Sequence, residues 1–466
     1  MATNFHVNVV VREIIKPSIS TPESKKYVKL SILDQMNFAL STPIILFFSH
    51  KDDNQNIAKK TKRLKSSLAE TLTLFYPVAG TVLDFKKTST FFIEYEYLQF
   101  FLPFAGTIKD NIVIECNDNG IEYVEATCDC NLSQVLSSPD IKSLEELIPI
   151  DLNPQTCQYG AKVQLNAFTC GGLAIGISLS PKIGDATALL TFILAWAFAS
   201  FNNSNITTIP QELVPHFIGD SIIPSLNDSS GMIPLPSPPP MEFQSFPKTT
   251  RFVFDSSKIA MLKEKGSSES VPQPSRVEAV TALIWKSLKR ISRNPSGGPR
   301  NCVASHAVNY RKRFDPPLPE TYIGNLSGRY LAESTLNDVP LQELVIRLRG
   351  GLIETTNLIL EGLKTKNILQ PLLGYTMRYL GLHNSKEVDF YNFRSLCGFP
   401  LHETNFGWGK PDWVIVTNPI LKNYVLMVDS NGGQGVEAWV SLNEEDADEL
   451  AKDEELLSFA EVNPPV

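Results

Sequence analysis

No apolar run in this chain reaches the roughly 20 residues that a membrane-spanning helix needs. The longest, Ala186 to Ala199, stops short of it. The N-terminus, MATNFHVNVVVREIIKPS, has no basic stretch followed by an apolar one, so it does not read as a secretory leader. Lys and Arg nowhere cluster, and the net charge is -8 with a pI near 5.5. That balance argues against nucleic acid and against anionic membrane surfaces as partners. The seven cysteines are odd in number and scattered. Only Cys128 and Cys130 lie close together, and a C-x-C without a second pair or a nearby His is a poor metal signal. They read as reduced, mostly buried thiols, and no metal site is expected. Triplets such as Asn325-Leu326-Ser327 fit the glycosylation pattern but mean nothing in a chain that is not secreted. The expectation is a soluble protein of the cytoplasm.

What the chain does have is bulk. With 466 residues and 43% hydrophobic content it can bury a large core, and its length suggests two or three domains. The stretch Gly171–Ser200, GGLAIGISLSPKIGDATALLTFILAWAFAS, organises the reading. Its first half alternates and is rich in Ile and Leu, which predicts a buried strand. Its second half, from Asp185, is apolar nearly all round and free of Gly and Pro, which predicts a buried helix. Between them, Ser180-Pro181-Lys182-Ile183-Gly184-Asp185 forms a tight break. A strand that stops, turns and feeds a helix presents a few side chains at a sheet's edge, where active sites often lie.

The remaining elements follow from periodicity and turn residues. Strands are expected at Phe5–Ile15, Thr42–Ser49 and Ala161–Phe168, an amphipathic helix at Asn56–Leu74, and a helical region at Leu132–Leu147. Ile112–Cys116 and Ile121–Ala126 flank Asn117-Asp118-Asn119-Gly120 and read as a hairpin. Phe75–Val82 is nearly repeated at Phe101–Ile108, and the aromatic stretch between them reads as an insertion, about 83–107. It is either an added edge strand or flap, or else a short duplication or a retained intron in the gene; the second is favoured, because a long apolar insertion is an aggregation hazard. Residues 202–248, rich in Pro, Ser and Asn, read as a crossover linker rather than a packed unit. They divide the chain into domains 1–201 and 249–466. In the second, Ser275 and Glu278 form a capping box at the start of a helix to Ile291. Strands are expected at Thr249–Asp255, Cys302–Tyr310, Trp413–Thr417, Asn423–Asp429 and Gly435–Leu442, with a long helix at Val339–Glu361.

Several of these stretches are similar, in order, to the motifs of the plant BAHD acyl-CoA-dependent acyltransferases. Ser180–Asp185 resembles the family's S-H-K-x-x-D, the His-x-x-x-Asp motif, with Pro181 at the His position and Asp185 in place. Asn405-Phe406-Gly407-Trp408-Gly409 resembles D-F-G-W-G, with Asn405 for Asp. Leu30–Gln35, Phe75–Gly80, Ser275–Lys286, Asn309–Arg311, Gly324-Asn325 and Gly435–Trp439 resemble the remaining motifs. The resemblance spans essentially the whole chain. It implies an α/β fold of two chloramphenicol-acetyltransferase-like domains of similar size, with mixed sheets and a channel at their interface. It also implies acyl-CoA as a co-substrate with no permanently bound cofactor, a small-molecule acceptor, and a monomer.

The chemistry so implied needs a base for the acceptor's hydroxyl proton and donors for the tetrahedral oxyanion. In the family the motif's His is that base. Pro181 has no titratable group and no backbone N–H. By the resemblance, Asp185 is structural and pairs with Arg311, Gly407 and Gly409 hold the backbone, and Trp408 donates toward the oxyanion. Lys182 is adjacent, but neighbouring residues on a strand face opposite ways. Ser180 has no evident base, and His306 and His402, near later motifs, are lone histidines of the kind that are usually structural. Three readings stand: an acyltransferase with impaired or unusual catalysis, acting on a hydroxyl or amine; a non-catalytic member that binds a small molecule or a partner; and a lyase or cyclase reusing the cavity.

Overall fold

The computed structural model describes residues 5–36, 43–50, 56–84, 111–149, 160–203, 209–225, 247–292, 301–335, 339–416, 421–430 and 432–466. Two mixed sheets dominate it, each with helices against it. The first has six strands in the order 7–15, 121–128, 161–168, 173–179, 44–48, 413–416. The second has seven, in the order 327–334, 301–309, 388–395, 424–429, 436–442, 248–254, 461–462.

The strand Leu173–Leu179 is buried along its whole length, as its continuous apolar run requires. It turns back from Ala161–Phe168 through Gly171, whose φ of +83° suits glycine. Gly176 lies under the carbonyl of Leu147, where a Cβ would come within 2.3 Å. The helix Ala186–Asn202 packs on Ile57–Leu74, and the Trp196 indole donates to the Leu64 carbonyl at 3.1 Å. Asp185 caps the start of the first of these helices and Asn203, left-handed at φ 46°, ends it. The capping box at Ser275 and Glu278 is present, and Glu278 also takes both a 2.5 Å and a 2.7 Å bond from Arg349 of the helix Leu341–Lys364.

Three expectations meet the structure differently. Asn111–Glu115 and Ile121–Cys128 do not pair with each other: the first joins a three-stranded sheet with Tyr27–Lys29 and Thr81–Asp84, the second lies between Val7–Ile15 and Ala161–Phe168. Local turn residues cannot decide between a hairpin and a crossing to another sheet. Trp413–Val416, expected in the domain 249–466, is the edge strand of the first sheet, antiparallel to Ile44–Phe48. Its aromatic and β-branched residues have a ready surface there, with Trp413 stacked on Phe47 at 5.1 Å. Part of the 202–248 linker is packed: His216–Phe217 pairs with Tyr322–Ile323, and Ile209 and Ile223 are buried. The helix Leu369–His383 was not anticipated. Of the 83–107 insertion, Leu83 and Asp84 end a strand and the rest lies outside the described residues.

Candidate active site at the domain interface

Beyond Leu179 the chain makes a turn over Ser180–Ile183, closed by the Ile183 amide donating to the Ser180 carbonyl at 2.9 Å. Proline suits the second position of such a turn because its φ is already set there. Pro181 is buried. The Ser180 amide donates to the Gly160 carbonyl at 2.8 Å, fixing the turn to the end of the neighbouring strand.

Asp185 divides its two oxygens. One accepts the Ala188 amide at 3.2 Å as a helix cap. The other accepts Arg311 Nη1 at 2.8 Å and the Leu326 amide at 3.1 Å. Arg311 is fully buried, and it follows the strand Asn301–Asn309 of the second sheet. It also donates to the carbonyls of Tyr322, at 3.0 and 2.8 Å, and of Gly324, at 2.9 Å. A buried ion pair is tolerable only with its remaining donors satisfied, and this one meets that condition.

Asn325 holds the turn from the same side. Its Nδ2 donates to the Pro181 carbonyl at 2.7 Å and to Asp34 Oδ1 at 2.9 Å, and its amide donates to that oxygen at 2.7 Å. Asp34 also accepts the Ser31 amide and hydroxyl, at 2.8 and 2.6 Å. Burial raises the Asp34 pKa, and the four donated bonds oppose that rise. Lys182 runs from the turn to the carbonyls of Asp34 and Gln35, at 3.4 and 2.9 Å. Burial lowers its pKa to about 8, yet the two carbonyls bind its ammonium form and hold it in a structural role.

The turn is therefore gripped from both halves of the chain. The structure brings together Pro181, Asp185 and Arg311. It does not bring Trp408 to them: the Phe406 carbonyl accepts from Ser200 Oγ at 2.7 Å, at the far end of the helix that Asp185 starts. Fourteen residues of helical rise put these ends about 21 Å apart. The Trp408 indole stacks on Phe406, meets Phe48 edge-on and lies under the Lys60 ammonium. Asn405 Oδ1 accepts the amides of Gly407 and Gly409 at 2.8 and 3.1 Å, so an uncharged amide closes this loop. Both glycines have positive φ, +111° and +113°, and a Cβ on Gly407 would strike Arg63.

His306 lies buried between the rings of Tyr330 and Phe393, and burial lowers its pKa to about 4. His402 Nε2 faces the Asp429 carbonyl at 3.2 Å. Among the described residues, Ser180 Oγ accepts only a long 3.4 Å bond from the Lys182 amide. Among the described residues, no His hydrogen-bonds to the Pro181 turn, and no cluster of His, Cys, Asp and Glu could hold a metal. The supporting roles of Asp34 and Asn325 were not read from the sequence. Both sit in quoted motifs, but only the fold makes them neighbours.

A profile of the family described as "Transferase family" matches residues 5–94 and 95–457. Akuammiline synthase 1 of Alstonia scholaris is 32% identical over 452 residues, 97% of each chain. Stemmadenine O-acetyltransferase of Catharanthus roseus is 30% identical over 459 residues, 96% of each. The crystal structure of vinorine synthase superposes with a TM-score of 0.77 at 29% identity, covering 98% of this chain and 99% of that one.

Proposed function

Given that the chain belongs to the BAHD acyltransferase family, we propose that it binds an acyl-CoA and a small plant metabolite at the interface of its two domains. The reaction is transfer of the acyl group to a hydroxyl or amine of that metabolite. The ordinary base is missing, because Pro181 stands at the base's position, and turnover with simple alcohols is weak. The observation that carries this reading is the intact frame around an altered residue. Asp185 with Arg311, and Asn325 with Asp34, hold the turn from both sides, while nothing at Pro181 can take a proton. A stemmadenine O-acetyltransferase among the relatives supports the reaction class. The remaining substitution, Asn405, leaves its loop closed, so the frame is supported at both ends of the buried helix. The protein works in the cytoplasm as a monomer.

Acetyl-CoA turnover against a panel of alcohols, with Pro181→His as the companion, tests this. A positioned base contributes about 10²–10⁴-fold, so the variant gains turnover of that order while CoA binding, read by thermal shift, stays unchanged. Brisk esterification by the unaltered chain defeats the claim of a missing base. Absence of CoA binding in both forms favours instead a binding protein or a lyase that has kept the cavity.

A further inference from the structure

One face of the second sheet packs on its own helices: the Trp285 indole, for instance, donates to Cys302 Sγ at 3.1 Å. Alternate residues point the other way. On that other face Asn309 donates to Thr187 Oγ1 at 3.1 Å, in the first turn of the helix that Asp185 caps. Leu426, also on it, belongs to the core built around Trp413 and Phe47. At the Asn309 end this face therefore looks toward the first domain and the Pro181 turn, while at its other end Val303, Leu331 and Phe390 pack on Tyr375 and Tyr379 of the helix Leu369–His383.

Two cations stand on it side by side. Arg329 pairs across strands with Ala307. On the other side His306 pairs with Phe393, so the next residue pair sets Arg394 beside Ala307. The row Arg329–Ala307–Arg394 crosses three adjacent strands, with its outer Cα atoms about 10 Å apart. Only the small Ala307 side chain stands between them in the row, and the Arg329 charge reaches Arg394. Both side chains are half-buried. The row lies two residues, about 7 Å, from the level of Asn309.

The next row, Ser305–Asn392–Tyr424, adds polar groups. Asn392 Oδ1 accepts from Arg329 at 3.2 Å and from the Tyr379 hydroxyl at 3.1 Å. The buried hydroxyls of Ser305 and Tyr424 have no partner among the described residues, and Arg394 lies over the Tyr424 ring at 5.9 Å. Buried hydroxyls normally find partners, and guanidiniums match carboxylates in geometry and charge.

We propose that the Arg329–Ala307–Arg394 row, with the Ser305 and Tyr424 hydroxyls, is a carboxylate-recognition subsite in the substrate cleft. It selects either an acyl-CoA whose acyl group ends in a carboxylate or an acceptor that carries one. This rests on the acyltransferase reading above, which places the substrates at that interface.

Binding is measured with two matched pairs, malonyl-CoA against acetyl-CoA and cinnamate against methyl cinnamate. The charged member of one pair binds roughly 10- to 100-fold more tightly, the worth of charge-assisted bonds, and the responding pair identifies the source of the carboxylate. Arg394→Gln and Arg329→Gln abolish the preference. Ala307→Leu keeps both charges but sets a bulky side chain between them, and abolishes it too; melting curves confirm that each variant folds. Equal binding within both pairs overturns the subsite while leaving the acyltransferase reading intact. Failure to bind either thioester overturns that reading instead, and the cinnamate pair alone then decides the subsite. A preference that survives in all three folded variants also overturns it.

Discussion

At the scale of single residues, the site depends on buried charges whose partners come from far along the chain. Asp185 and Arg311 have side-chain exposures of 6% and 0%. Removing one charge of such a pair strands the other, a loss of about 3–5 kcal/mol. Asp185→Asn should therefore lower stability by that order in denaturant titration, although the Asn keeps a cap for the helix. Asn405→Asp should do far less, because its loop is closed by an oxygen that either side chain supplies. His306 gives a pH dependence. Its folded pKa is held near 4 by burial, against an ordinary 6.5. Between those values the unfolded chain binds a proton that the native chain does not, so stability falls as pH drops from about 6.5 to 4. Chemical denaturation across that window should show the decline, and His306→Phe should flatten it. Lys182 works in the same direction at alkaline pH. Its native pKa is about 8 and its ordinary value 10.5, so its contribution rises with pH between them.

At the scale of elements, the crossing strand Trp413–Val416 matters most. It is supplied by the second half of the sequence and completes the first sheet. Trp413 stacks on Phe47, and its indole donates to Glu437 at 3.4 Å, which is itself paired with Arg251 in the second sheet. A truncation of a buried Trp costs about 3–5 kcal/mol. Trp413→Ala should lose that much and also separate the melting of the two halves, visible as a second calorimetric transition. A single transition in the variant would show that the strand does not couple them. The buried helix Ala186–Asn202 has a different part: it ties the Pro181 turn at one end to the Asn405–Gly409 loop at the other, and its length keeps Trp408 away from any chemistry at the turn.

At the scale of the whole molecule, two cores meet along an interface that carries the candidate chemistry. The pair Asp185–Arg311, the Asn325 bridge to Pro181 and Asp34, and the crossing strand all join residues that are distant in sequence. The unaltered chain should therefore unfold in one cooperative transition, since the first sheet lacks its edge strand, and the Pro181 turn its partners, unless the second half is folded. The arginine row on the second sheet faces the same interface, so binding a carboxylate there should raise the melting temperature of the whole molecule rather than of one half.

Hydrophobic periodicity was enough to locate the buried strand and helix around Pro181, the capping box at Ser275, and most strands of the second sheet. Those features are local: alternation, helical spacing and side-chain caps act within a few residues. The ordered motifs carried the two-domain fold as a resemblance. What the linear order could not carry was partnership across distance. It suggested a hairpin where Asn111–Glu115 and Ile121–Cys128 join different sheets, and it left Trp413–Val416 with the wrong sheet. It gave no reason to bring Asp34 to Asn325 or to set Arg329 beside Arg394 across Ala307. Strand neighbours and buried polar partners are chosen by the packing of the completed molecule, where each desolvated group must find its complement.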